Sequence, residues 1–186
     1  MTRPPRPPSV PQPAVERMTP FAGRPAVVGV VPHQHPLVVL TAASWARAAG
    51  ARLHLAYVDP TRYVVEEHPD GTVQHAPVDP DTADDRWRGT EDALRAELGA
   101  VLQDADVPWD LHYLAGRPDR ALTHLARAVD AAVLVVGTRT HGAGARLREL
   151  VEGSVAAHLT HHQHRPVLVV PLDVVDWAEG GGPWRR

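Results

Sequence analysis

Apolar residues along this chain come in short β-branched runs, separated by stretches whose apolar positions recur at helical spacing. Ala26–Val31 is such a run and predicts a strand buried on both faces. Leu37–Ala49 has the helical pattern, and Gly50 is placed to stop the helix. The alternation continues with strands at Leu53–Val58, Trp109–Leu114, Ala132–Val136 and Val167–Val170. Between them fall helices at roughly Thr90–Gln103, Arg120–Val129 and Ser154–His162. Pro118 and Asp119 lead into the third helix, where a fixed φ and an early acid suit a helix start. Four strand–helix pairs and a closing strand predict an α/β fold with a doubly wound, five-stranded parallel sheet.

Three segments fall outside this rhythm. Residues 1–25 hold eight prolines, four arginines and one acid, Glu16, and show no apolar periodicity. They read as a disordered, weakly basic leader, with Met18 as an alternative start. Residues 173–186 are rich in glycine and read as a flexible tail. Residues 59–85 carry eight acids against Arg62, a charge of −7. Within them, Tyr63-Val64-Val65 and Thr72-Val73 flank His68-Pro69-Asp70-Gly71, and Asp-Gly is a hairpin turn signal. This stretch reads first as a solvated hairpin and loop inserted before the second helix. Its functional alternatives are a partner contact or a flap over a ligand.

Composition removes several classes. The chain has 186 residues, a net charge of −3 and no cysteine. Disulfides, thiol catalysis and thiolate metal sites are excluded, and the charge does not suit a nucleic-acid binder. No apolar run approaches the ~18 residues of a membrane span, and the N-terminus lacks the apolar core of a secretory signal. All 19 basic residues are arginine. A P-loop lysine and Schiff-base chemistry are therefore ruled out.

In an open α/β sheet, ligands bind beyond the carboxyl ends of the strands, where the strand order reverses. Those ends are Val31–His35, Val58-Asp59, Gly116 and the segment after Val136. The last reads Gly137-Thr138-Arg139-Thr140-His141-Gly142-Ala143-Gly144-Ala145-Arg146, and Gly153-Ser154-Val155 follows further on. Its glycines allow close approach of the backbone, and Ser154 suits a helix N-cap. Free amides at that helix start favour a phosphate, with charge from Arg139, Arg146 and Arg148. An ordinary glycine-rich crossover ending in a serine cap would use the same residues.

The stretch from Val133 to Pro171, VLVVGTRTHGAGARLRELVEGSVAAHLTHHQHRPVLVVP, resembles the universal stress protein family. The likeness reaches back to Val27-Val28-Gly29-Val30 and Gly50–Leu55, so it spans about Ala26–Leu172. It implies a Rossmann-like sheet of order 3-2-1-4-5, in the manner of the adenine nucleotide alpha hydrolases. It also implies a cytoplasmic homodimer joined through the Val167–Pro171 edge strand, reporting stress to a regulatory protein partner. In one subgroup the glycine-rich loop binds ATP or AMP. Carried onto this chain, the nucleotide site would comprise Gly29, Val31, Val58, Val136, Gly137, Thr138, Arg139, Gly142, Gly144, Gly153, Ser154 and Val155. A ligand-free interaction protein and a slow ATPase are the alternatives on the same fold.

Two positions depart from that subgroup. Its Gly-x2-Gly-x9-Gly-Ser/Thr pattern spans 13 positions, whereas Gly137 and Gly153 lie 16 apart (153 − 137). Gly142 or Gly144 would take the part of the second glycine. Val31 stands where similar proteins place an aspartate, and a valine cannot accept a hydrogen bond from base or sugar. Phosphate contacts would then persist while adenine selectivity weakens, with His33 or Gln34 as substitutes. His33 and His35 form one histidine cluster, and His161, His162 and His164 another. Neither has a carboxylate at ligand spacing, so no metal site is expected. Ser154 lacks a Gly-x-Ser-x-Gly elbow, because position 156 is Ala, and no catalytic set stands out.

Overall fold

The computed structural model describes residues 14–79, 81, 86–138 and 155–172. Its elements are β1 (Ala26–Gly29), α1 (Leu37–Ala49), β2 (Leu53–Asp59), β3 (Arg62–Glu67), β4 (Val73–Pro77), α2 (Arg86–Leu102), β5 (Trp109–Ala115), α3 (Pro118–Ala128), β6 (Val133–Gly137), α4 (Val155–His162) and β7 (Val167–Val170). The main sheet has five parallel strands in the order β5-β2-β1-β6-β7. With the two hairpin strands left uncounted, this is the expected 3-2-1-4-5 order.

The unbroken apolar runs have a simple cause. Both faces of the sheet are covered, so alternate side chains enter two different cores. Ala26, Val28, Leu53, Leu55 and Val135 meet α1 and α2 on one face. Val27, Ala56, Leu134 and Val136 meet α3 and α4 on the other. Leu55, Leu125 and Leu134 are fully buried, and burial of such a side chain contributes about 1.5–3 kcal/mol. α1 ends where Gly50 turns to φ +63. The amide of Ala51 then donates to the Ala46 carbonyl at 2.8 Å, which satisfies the last turn.

The acidic stretch forms an antiparallel hairpin, β3 with β4, irregular between Val64 and Glu66. At its turn the Asp70 carboxylate accepts from the Thr72 amide at 2.9 Å and from its hydroxyl at 2.7 Å. Gly71 holds φ +87 and lies so close to α3 that a Cβ would sit 2.6 Å from Leu125 Cδ1. The hairpin packs against β5, an edge strand whose outer side would otherwise be bare.

Several boundaries differ from expectation. β1 stops at Gly29 because the Val31 amide donates to the Gln34 side chain rather than to the sheet. α3 starts at Pro118, two residues early, because proline is tolerated in the first turn. Residues 14–25, expected within a disordered leader, instead carry a 3-10 turn at Val15–Arg17. Phe21 packs edge-on against Trp45 with ring centres 5.8 Å apart, and Gly23 donates to the Ala49 carbonyl at 2.8 Å. Apolar and backbone contacts thus override the proline-rich composition there. The remaining leader, residues 1–13, and the tail, 173–186, lie outside the described residues. Among the described residues, no helix is long and apolar enough to cross a membrane.

Candidate functional site

Strand order reverses at β1. The chain leaves β1 through α1 on one face to reach β2, and leaves β6 toward α4 on the opposite face to reach β7. The two carboxyl ends are neighbours, since Val28 pairs with Val135. Chains that depart on opposite faces leave a crevice between them.

On the β1 side a tight turn forms the wall. The Gln34 amide donates to the Val31 carbonyl and the Val31 amide donates to Gln34 Oε1, both at 3.2 Å. His33 sits in the left-handed region at φ +58, uncommon for a residue with a Cβ. Its amide donates to Glu97 Oε2 at 3.3 Å, and its ring lies 3.8 Å from the same oxygen. Val31 is 53% exposed at this turn, so an apolar side chain occupies the position beside the crevice. Gly29 lies where a Cβ would come within 3.3 Å of Leu122 and Val136.

On the β6 side Gly137 is enclosed. A Cβ there would lie 2.8 Å from Val38, 2.9 Å from Gln34 Nε2 and 3.1 Å from Leu172. Only glycine lets the β1 turn, α1 and the end of β7 close on this point. Thr138 donates its amide to the Val170 carbonyl at 2.9 Å, and its hydroxyl oxygen accepts from the Leu172 amide at 2.8 Å. The hydroxyl proton is left to donate. Val58 and Val136 are buried in the α3-side core and offer a ligand only main-chain atoms. Val155, the first described residue of α4, packs against the same core. The structure therefore gathers Gly29, Val31, Gly137 and Thr138 at one crevice. Arg139, Gly142, Gly144, Gly153 and Ser154, with Arg146 and Arg148, lie outside the described residues.

A second arrangement stands at the carboxyl ends of β2 and β5, and the sequence did not disclose it. Register pairs Tyr57 with Tyr113 and Asp59 with Ala115. The buried Asp59 carboxylate accepts from Tyr113 Oη at 2.7 Å, from Thr61 Oγ1 at 2.7 Å and from the Thr61 amide at 2.8 Å. Burial alone would raise its pKa, but these bonds and the nearby Arg62 outweigh it and hold the carboxyl below its ordinary range. Burial, then the bond to Asp59, drives the Tyr113 phenol well above its ordinary value. Trp87 packs on Tyr113 and edge-on against His75, with ring centres 5.5 and 4.9 Å apart. Tyr57, Asp59, Thr61, Arg62, Trp87 and Tyr113 line a cavity of about 610 Å³ beside the hairpin.

Two histidines outside the clusters read in the sequence also come together. His54 and His112 meet across β2 and β5, with ring nitrogens 3.0 Å apart. Burial, then the neighbouring His112, lowers the His54 pKa from 6.5 to about 4. His35 Nδ1 accepts from the Leu37 amide at 3.2 Å, and His162 stacks on His158. Among the described residues no group of three or more His, Asp or Glu side chains is arranged to hold a metal ion.

The sheet order and the crevice at its switch point define a doubly wound α/β domain of the kind that binds ligands at strand ends. The sequence profile of the universal stress protein family matches residues 24–171, and the chain belongs to that family. No curated protein matches the chain. A universal stress protein from Archaeoglobus fulgidus is similar in fold, with a TM-score of 0.57 at 20% identity over 80% of this chain and 94% of that one. A structure of the Archaeoglobus fulgidus protein in complex with dAMP gives 0.55 at 20% identity, over 79% and 97%. A universal stress protein in complex with cAMP gives 0.56 at 22% identity, over 82% and 99%.

Proposed function

We propose that this chain is a stress-response module that binds an adenine nucleotide, ATP or AMP, in the crevice between β1 and β6. The observation that carries the reading is Gly137 at the switch point, where a Cβ would crowd Val38, Gln34 and Leu172. Main chain at the end of β6 thereby reaches the crevice without a side chain of its own in the way. Two proteins of the same fold are described with dAMP and with cAMP, which supports an adenylate as the ligand class. The phosphates would rest on the amides around Gly153 and Ser154, with Arg139, Gly142 and Gly144 in the covering loop. Val31 in place of a hydrogen-bonding side chain makes the site less selective for the base. Calorimetric titration of the full chain with ATP tests the proposal. Ser154→Ala removes one hydrogen bond to phosphate and is expected to weaken affinity by ~0.5–2 kcal/mol. Equal affinity in wild type and variant would remove Ser154 from the site.

The module would work as a homodimer through Val167–Pro171. β7 is an edge strand paired only with β6, and Val169 is 39% exposed on it. Among the described residues no strand pairs with its outer side, whereas β5 at the other edge lies under the hairpin. A two-fold contact of β7 with its own copy would satisfy those open backbone groups. Arg165, just before β7, is buried, and its Nε donates to the Ala131 carbonyl at 2.6 Å. Val169→Lys is expected to convert a dimeric wild type to monomer in light scattering. A monomeric wild type at micromolar concentration would end this part of the reading.

A further inference from the structure

The crevice between β1 and β6 does not use the inserted hairpin, yet the hairpin roofs a cavity of its own. That cavity of about 610 Å³ shares no lining residue with the crevice, and its size is that of a small-molecule site. The floor comes from β2 and β5, the roof from Arg62, Pro77 and Val78 of the hairpin, and the side wall from Arg86, Trp87 and Thr90 of α2.

Its charges are divided unequally between spent and unspent groups. Asp59 is saturated by Tyr113 and Thr61 and faces the Arg62 charge. Arg62 itself is buried and donates to His75 Nδ1 at 2.7 Å. Asp79, also in the lining, accepts from the Asp81 amide at 3.0 Å but keeps its negative charge, so an anionic group belongs at the Arg86 side of the cavity. By contrast, no described residue takes up the Arg86 guanidinium, the Tyr57 hydroxyl or the Trp87 indole N–H in a hydrogen bond or ion pair. The Arg88 guanidinium lies 4.9 Å from the centre of the Trp87 ring. Unspent donors with flat aromatic walls select a ligand with a planar ring and an acceptor bearing negative charge.

We propose that this half-open cavity beside the hairpin is a second ligand site, for an aromatic carboxylate whose ring packs against the Tyr57 and Trp87 side chains and whose anionic group meets Arg86. The insertion is then the part of the chain that makes the site, in keeping with the flap alternative rather than a solvated excursion. The proposal is independent of whether the crevice binds nucleotide.

The test follows the Trp87 indole N–H resonance of the full chain, identified by its loss in Trp87→Phe. The probes are indole-3-acetate and tryptamine, which share a ring and carry opposite charges. A saturable shift with indole-3-acetate is expected, with affinity for tryptamine at least fivefold weaker. Arg86→Gln, at an exposed position, should cost at least fivefold in indole-3-acetate affinity and erase the preference between the probes. Tyr57→Phe, which keeps the ring, should weaken the same probe severalfold. No saturable shift, equal or tighter binding of tryptamine, or an Arg86→Gln variant that binds unchanged would each overturn the proposal.

Discussion

The crevice between β1 and β6 is closed by glycine main chain, whereas the cavity beside the hairpin is made of side chains. At the crevice, Gly29 and Gly137 are pressed so closely that a single added carbon would meet Leu122, Val136, Val38 or Gln34. At the cavity, Tyr57, Trp87 and Tyr113 form the walls, and Asp59 is held by three hydrogen bonds. The difference teaches how each region tolerates change. The crevice admits no Cβ at Gly137 but takes a different side chain at Val31. A side-chain site depends on register and on the charge state of each group.

The largest expected contrast is with acid. The folded state holds the His54 pKa near 4 against an ordinary 6.5, chiefly through burial and then through His112. Asp110 opposes this shift and Arg52 adds to it. The folded state therefore disfavours the proton. The stability this contributes is complete above pH 6.5 and is lost as pH falls from 6.5 toward 4. The gap corresponds to about 3 kcal/mol. Amide hydrogen exchange at pH 7 and pH 5 should show β2 and β5 losing protection ahead of β6. Equal loss in all three strands would remove the contrast. His54→Gln, which cannot take up the proton, should flatten the pH dependence.

A smaller effect is expected on the crevice side. Val31→Asp supplies the acceptor that the β1 turn lacks, and a hydrogen bond there contributes about 1 kcal/mol. ATP affinity should rise severalfold relative to GTP. Unchanged affinities for both nucleotides would show that this position does not face the base. The Trp87 resonance should be the same in the variant and the wild type, which keeps the two regions separable.

The two regions also differ in how far the sequence discloses them. The sheet is legible because strands buried on both faces must be apolar at every position, and the helices between them keep their own period. Gly50 and the Asp70-Gly71 turn are legible because only a few residues adopt those backbone conformations. The crevice is legible for the same reason, since glycine in Gly137-Thr138 and Gly29-Val30 marks where main chain must come close. The cavity is not. Tyr57 and Tyr113 lie 56 positions apart (113 − 57) and meet only through the register of β2 with β5. The acids of residues 59–85 suggest a solvated surface, and nothing in their order reveals that Asp59 turns inward to Tyr113. His54 and His112 were missed likewise, as single polar residues in two separate strands. The leader shows a further limit, because the fit of Phe21 on Trp45 does not follow from proline content.

The most direct test of nucleotide binding in the crevice is a residue-resolved NMR titration of the isotopically labelled full chain with ATP. Saturable shifts are expected, largest at the amides of Val30, Val31, Gly137 and Thr138, with the Trp87 indole and the Tyr113 amide scarcely moved. No saturable shift at millimolar ATP, or shifts largest at Trp87 and Tyr113, would contradict it.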